Sequence, residues 1–290
     1  MMSFIFEYLT PIALGLMMAG MGLALRPKNF SRLWQNPKAL FLGVAGQVIG
    51  LPLLGFAIAA GFHLSPSQAV GTMILVSCAG GVVSGLLTQM ARGDTALSVS
   101  MTAFSMLIGT LSIPFIINVS LDYFLQQKEY VPLDLLPTSV RLLAMTILPV
   151  VIGMAIRHWF PLMSTRIAPT VARGSNALLV GIIVLTLFGS GKEIAGDITT
   201  LILPLFVLNL LAMSLGYATA LLARLEMKVA KTLAIEVGIQ NSATGIFIAT
   251  TLLNNISLAL PAMIYTGVAF VNVAVFILIF QRRFHYAQTA

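Results

Sequence analysis

Charge is what this chain has least of. Only 9% of its 290 residues are Asp, Glu, Lys or Arg, against about 25% in an average soluble domain. With 58% hydrophobic residues and a mean hydropathy of +0.98, it cannot be an ordinary soluble globule. No stretch is polar enough, over a comparable length, to form a second, soluble domain. Cysteine is nearly missing too. The lone Cys78 excludes an internal disulfide and a cysteine-based metal cluster, and reads as a small buried apolar residue. His63, His158 and His285 fall at the ends of apolar runs and lack metal-ligand spacing. The N-terminus has no basic region followed by a small-residue cleavage site, so its first apolar run reads as a mature span.

Long apolar runs are abundant. A run of about 20 residues crosses the ~30 Å hydrocarbon core of a bilayer. Such runs predict nine spans, roughly Ser3 to Leu25, Ala39 to Ala60, Gln68 to Ala91, Thr95 to Phe124, Thr138 to His158, Pro169 to Gly189, Ile198 to Leu222, Val229 to Leu253 and Leu260 to Phe280. The fold class is therefore an all-α polytopic membrane protein. The pI of 9.9 and net charge of +7 do not imply a nucleic-acid partner, because the basic residues lie in short loops between spans. Arg26, Lys28, Arg32, Lys38, Arg92, Arg157, Arg166, Arg173, Arg224, Lys228, Lys231, Arg282 and Arg283 fall on one side. Lys128, Arg141 and Lys192 fall on the other. The positive-inside rule then predicts an outside N-terminus and a cytoplasmic C-terminus. Asp122, Glu129, Asp134, Glu193 and Asp197 gather outside as solvated loop charges. Trp34 and Trp159 sit near expected interfaces.

One acid breaks the pattern. Glu236 stands in the middle of the eighth span, where a carboxylate costs roughly 2.5–3.5 kcal/mol on insertion scales unless something pairs with it. Gly238, Gln240, Asn241, Ser242 and Thr244 follow. A glycine loosens the helix just where oxygens cluster, and an unwound turn with one charge and several neutral oxygens suits a small hard cation. The plainer alternative is a protonated Glu236 hydrogen-bonded to a neighbouring helix. The third span carries Gly80-Gly81, with Ser84 and Thr88 after it. Counting spans makes the third and eighth antiparallel, as an inverted repeat requires. Interrupted helices at matching places point to a secondary-transporter site. Four spans against five fit a repeat of five and five whose first helix is missing. Freed carbonyls would favour cations, and half-helix N-termini an anionic group.

The run Glu236-Val-Gly-Ile-Gln-Asn-Ser resembles the E-V-G-x-Q-N-S signature of the bile acid:sodium symporter family. Gly80-Gly81-Val-Val-Ser84, then Ala91-Arg92-Gly93-Asp94-Thr-Ala-Leu97-Ser98-Val99, resembles another stretch of that family. Arg26-Pro27-Lys28-Asn29-Phe30 resembles its basic turn. The likeness covers essentially the whole chain. It implies a core domain, here about 35–137 and 193–290, with two crossed broken helices, beside a panel domain of about 1–34 and 138–192. It implies a first sodium position at Ser84, Ser98, Thr102 and Glu236. The second would use Gln47, Gln240, Glu236 and the carbonyls of Val237 and Ile239. Asn241 would face the substrate, with Ser242, Val82, Thr266 and Asn272 as further substrate-side positions. The sequence departs from the family pattern at Gly85, where the family usually has Asn, and at Val82, often Thr. Ala269-Phe270 stands where some members carry His-Asn. One or two sodium ions are thus expected, the first position lacking a side-chain ligand at Gly85.

These observations predict a symporter that carries a small or amphipathic organic anion inward with sodium, in a bacterial inner membrane. The lipid bilayer is its other partner, and no feature calls for a protein partner. Bile acids, steroid sulfates, keto acids and pantothenate-like acids all fit the resemblance. Proton coupling through Glu236 is the alternative within transport. An intramembrane enzyme would need a nucleophile–base pair or a metal set at membrane depth, and no histidine or second acid lies near Glu236 in depth.

Overall fold

The computed structural model describes residues 5–25, 37–125, 133–189 and 191–289, with the backbone alone at 82, 189, 191–195 and 282–289. The Arg26-Pro27-Lys28 turn, Arg32, Trp34, Lys128 and Glu129 lie outside the described residues. Among those described, no strand occurs. The helices are α1 (Ile5–Ala24), α2 (Pro37–Gly61), α3 (Pro66–Ser77), α4 (Val82–Met90), α5 (Thr95–Leu125), α6 (Leu135–Trp159), α7 (Pro161–Gly189), α8 (Gly191–Leu222), α9 (Met227–Gly238), α10 (Ser242–Phe247, prolonged by a wider turn at Ile248–Leu252) and α11 (Leu260–Thr289). Seven helical segments, in α1, α2, α5, α6, α7, α8 and α11, are long and apolar enough to cross a bilayer, so the chain is a multi-pass membrane protein.

The other four helices are the pieces of two interrupted segments. α3 has 12 residues, about 18 Å of helix at 1.5 Å per residue, too short to span alone. Cys78 to Gly81 lie in no helix before α4 begins, and Ile239 to Asn241 separate α9 from α10. Every residue from Val229 to Thr250 is buried, so the second interrupted segment runs through the middle of the molecule. α6 and α7 are its opposite, with much of their apolar surface exposed, as lipid-facing helices require.

Two helices start earlier than hydropathy suggests. α7 begins at Pro161 and carries Pro169 inside it, and α8 begins at Gly191 rather than Ile198. Hydropathy marks where lipid begins, not where hydrogen bonding does. Pro161 opens α7 where a missing N–H costs nothing.

Small residues set the closest approaches. A Cβ on Gly22 would lie 2.1 Å from the Val150 carbonyl oxygen, and one on Gly153 would lie 2.3 Å from that of Ala19. The backbones of α1 and α6 therefore touch at paired glycines, as membrane helices do when packing rather than hydrophobicity holds them. α1 packs chiefly on α6 and α7, while α8 packs on α9 and α11.

Basic side chains close helix ends. Arg157 donates to the carbonyl of Leu23 at the end of α1. Lys38 Nζ donates to Ala223 O after α8 at 2.9 Å, and the buried Lys231 donates to Ala91 O after α4 at 3.2 Å. Each places a cation at the negative end of another helix. The α4–α5 turn is also docked on α9, through its backbone. Asp94 N–H donates to Thr232 Oγ1 at 2.7 Å, while the Asp94 carboxylate caps α5 by accepting from Ala96 and Leu97 N–H. Gly93 has no room for a side chain, since its Cβ would sit 2.7 Å from Thr232 Oγ1.

Candidate ion and substrate site

The two breaks meet. Asn241 N–H donates to the Cys78 carbonyl at 3.2 Å, joining one unwound turn to the other. A Cβ placed on Gly80 would find Gln47 Nε2 and the Ile239 carbonyl oxygen at 3.2 Å and Glu236 Oε2 at 3.4 Å. Three polar atoms from two segments thus surround the one place where this chain has only hydrogen.

Glu236 is fully buried and, among the described residues, forms no ion pair. Its carboxylate accepts from the hydroxyls of Ser98 and of Thr102, the latter at 2.8 Å. Ser84 stands beside Thr102, with 3.4 Å between the hydroxyl oxygens, and donates to Gly81 O at 2.8 Å. Ser84, Ser98, Thr102 and Glu236 are therefore within reach of one another. Gln47 rides on a wider turn of α2 (Gly46–Gly50) and donates to the Glu236 carbonyl at 3.1 Å. Gln240 donates to the Val237 carbonyl at 2.9 Å. The oxygens of both amides, Gln47 Oε1 and Gln240 Oε1, are buried without a hydrogen-bond partner. Buried polar atoms are nearly always satisfied, so the orphaned acceptor of Gln47, whose amide meets Glu236 around Gly80, and that of Gln240 on the same break as Ile239 fit a cation. Hard ions such as sodium take carboxylate, amide, hydroxyl and carbonyl oxygens of this kind.

Against this cluster lies a cavity of about 300 Å³. Its lining is mostly apolar, with Met17, Leu86, Leu179, Val180 and Phe270, and Asn176, Gln240, Asn241, Ser242 and Thr266 add polar groups. Gly81 and Asn241, the residues preceding α4 and α10, both line it. Asn241 Oδ1 accepts from Thr244 N–H at 3.2 Å, so its side chain is partly committed to capping α10.

Of the residues singled out for the substrate, Asn241, Ser242 and Thr266 line the cavity. Asn272 does not; it is buried and donates to Asn209 Oδ1 at 2.9 Å. The side chain of Val82 lies outside the described residues. Gly85 leaves space: a Cβ there would lie 3.8 Å from Ser98 Oγ. Sequence reasoning missed Asn176, which brings a polar group from α7 to the cavity, and it missed Asn209 and Tyr265. All are polar groups within apolar helices, which is the signal that could have flagged them.

Two interrupted helices touching at a buried carboxylate, next to a mostly apolar cavity, are the build of a membrane transporter. The model of the sodium bile acid symporter family matches residues 11–197. The chain is 30% identical over 264 residues to the uncharacterized sodium-dependent transporter YocS of Bacillus subtilis (strain 168), covering 91% of this chain and 80% of that one. It is 31% identical over 247 residues to the ileal sodium/bile acid cotransporter of Oryctolagus cuniculus, covering 83% of this chain and 69% of that one. It is 29% identical over 259 residues to the probable chloroplastic sodium/metabolite cotransporter BASS2 of Oryza sativa subsp. japonica, covering 87% of this chain and 59% of that relative's length. The chain belongs to the sodium bile acid symporter family.

Proposed function

We propose that this protein is a secondary active symporter that moves a small or amphipathic organic anion inward together with sodium. The observation that carries the reading is the cluster at the meeting of the two breaks: the Glu236 carboxylate, the hydroxyls around it and the unpartnered oxygens of Gln47 and Gln240. Sodium is cargo in this scheme. Its charge offsets that of Glu236, which burial otherwise makes costly, and its coordination holds the unwound turns in one shape. The adjacent cavity then receives the anion. No Lys or Arg lines it among the described residues, so the partial positive charge at the starts of α4 and α10 and the side-chain amides of Asn176 and Asn241 are left to balance an anionic group. Because coupling is reciprocal, the anion also raises sodium affinity.

The same reading covers the architecture. Seven continuous spans plus the two interrupted segments make nine among the described residues, arranged as an inverted repeat of four and five. α1, α6 and α7 form the panel and the remaining helices the core, which moves against it in alternating access. The packing of α1 on α6 and α7 supports this division, as does the position of the cavity, which takes residues from α1 and α7 on one side and from both breaks on the other.

Uptake into proteoliposomes tests the function. Steroid sulfates, bile acids, keto acids and pantothenate-like acids are offered with and without an inward sodium gradient at fixed pH. Sodium-driven accumulation of one of them supports the reading. Uptake driven equally by a proton gradient without sodium would replace it with proton coupling through Glu236.

A further inference from the structure

The break after α9 leaves the carbonyl of Gly238 without its usual helical partner, because Ser242 N–H turns to Gln240 O instead. Two buried side chains take that carbonyl. Tyr265 Oη of α11 donates to it at 2.7 Å and Asn209 Nδ2 of α8 donates to it at 2.8 Å. The same amide also donates to Tyr265 Oη at 3.0 Å, and Asn209 Oδ1 accepts from Asn272 Nδ2 at 2.9 Å. Asn209 and Tyr265 are at most 1% exposed and Asn272 is 6% exposed, so the network is sealed from solvent. Gly238 itself is pressed against α8, where its Cβ would lie 2.4 Å from Met213 Cγ.

The next residue explains what this arrangement accomplishes. Ile239 has extended backbone, φ −96° and ψ 122°. Successive carbonyls of extended backbone point to opposite sides. The Gly238 carbonyl points toward α8 and α11, and the Ile239 carbonyl points the other way, to the space beside Gly80 where Gln47 and Glu236 converge. Holding the first fixes the second.

We infer that Tyr265 and Asn209 are positioning residues for the cation: by anchoring the Gly238 carbonyl they aim the Ile239 carbonyl into the ion position. Asn272 braces Asn209 from behind. The inference rests on the sodium reading above and adds to it residues outside the ion's own oxygen set. Tyr265 also forms part of the cavity wall, so the network joins that wall to the ion position.

Sodium titration of the melting temperature tests this without a known substrate. The full chain, purified in detergent, is melted in rising NaCl with KCl added to keep ionic strength constant. The unmodified chain is expected to melt higher with sodium than with potassium alone, and the half-effect concentration is the readout. Tyr265→Phe and Asn209→Ala are expected to raise that concentration ~5-fold or more, the scale of one lost buried hydrogen bond. Asn272→Ala keeps both donors to Gly238 and is expected to shift it in the same direction by less, and it serves if the other two variants do not fold. Thr110→Val deletes a buried hydroxyl that bonds only within its own helix; it is expected to lower the melting temperature without moving the sodium midpoint. Midpoints unchanged in all three network variants, with sodium still stabilising the unmodified chain, overturn the inference alone. Absence of any sodium-specific effect in the unmodified chain overturns the sodium reading and the inference together.

Discussion

A methyl group added at Gly80 would enter the space bounded by Gln47 Nε2, the Ile239 carbonyl oxygen and Glu236 Oε2. At 3.2–3.4 Å it would be tight but not impossible. Gly80→Ala is therefore expected to leave the protein folded while weakening sodium stabilisation at least tenfold, because the methyl group occupies ion space and presents no oxygen. A sodium-titrated melt checks it, and an unchanged midpoint would put the ion elsewhere. Glu236→Gln keeps the shape and removes the charge. Charged hydrogen-bonding groups are worth about 1.5–3 kcal/mol, or ~10–100-fold in affinity, and that is the loss expected in sodium-driven uptake. How far the sequence shows these residues differs from one to the next. Glu236 stands out because an acid at membrane depth needs a reason. Gln47 is 189 positions away in the chain, and only the resemblance pairs the two. Asn272 was legible as a polar residue in an apolar helix, but nothing local in the sequence says that it faces Asn209 rather than the cavity.

The interrupted helices were readable for a physical reason. Gly80-Gly81 and Gly238 are residues that lower the cost of leaving the helix, and each stands next to oxygens that profit from the exit. The element-scale contacts that hold the pieces were not readable, because they are long-range. α4 is tied to α9 through Lys231, whose ammonium reaches Ala91 O and lies 5.1 Å from the centre of the Phe280 ring. A charged hydrogen bond, a helix C-terminus and a cation–π contact all meet on this side chain. In the sequence it is one basic residue among many near a membrane surface. Lys231→Met keeps the length and apolar stem, so it is expected to destabilise by about 2–4 kcal/mol, summed over those three contributions. The melting temperature should fall with little change in the sodium midpoint. A variant that melts like the unmodified chain would mean that the α4–α9 junction is held by Thr232 and Asp94 without it. Gly216 gives a second check on α9, from its other side. A Cβ there would lie 2.2 Å from Leu233 O, so Gly216→Ala should push α8 off α9 and cost about 1–3 kcal/mol.

Across the whole molecule, apolar run lengths predicted membrane spans well where helices are continuous, because hydropathy reports burial in lipid and little else. They could not tell α6 and α7, exposed to lipid over much of their length, from α9, which is buried all round from Val229 onward. That distinction belongs to packing, and it separates the elements that bear the site from those that frame it. Orientation follows from where the basic residues go. Arg157, Lys38 and Lys231 close the C-terminal ends of α1, α8 and α4, which in the proposed nine-span arrangement end the first, seventh and third spans and so share one face. With that face cytoplasmic, as the positive-inside rule proposes, the retained positive charge also satisfies carbonyls that the helices leave open there. The loop after α2 should then face outward and the loop after α8 inward. His63 and Arg224 are exposed in those two loops. Cys78 has no accessible surface and can remain in place. A membrane-impermeant thiol reagent applied to intact cells is expected to label His63→Cys at once and Arg224→Cys only after permeabilisation. The reverse pattern would invert the protein's orientation in the membrane, while the direction of symport would still be set by the sodium gradient. Labelling of both from one side would place an even number of crossings between them, so that one of the five segments in that interval, the interrupted α3–α4 or the continuous α5, α6, α7 or α8, does not traverse the bilayer.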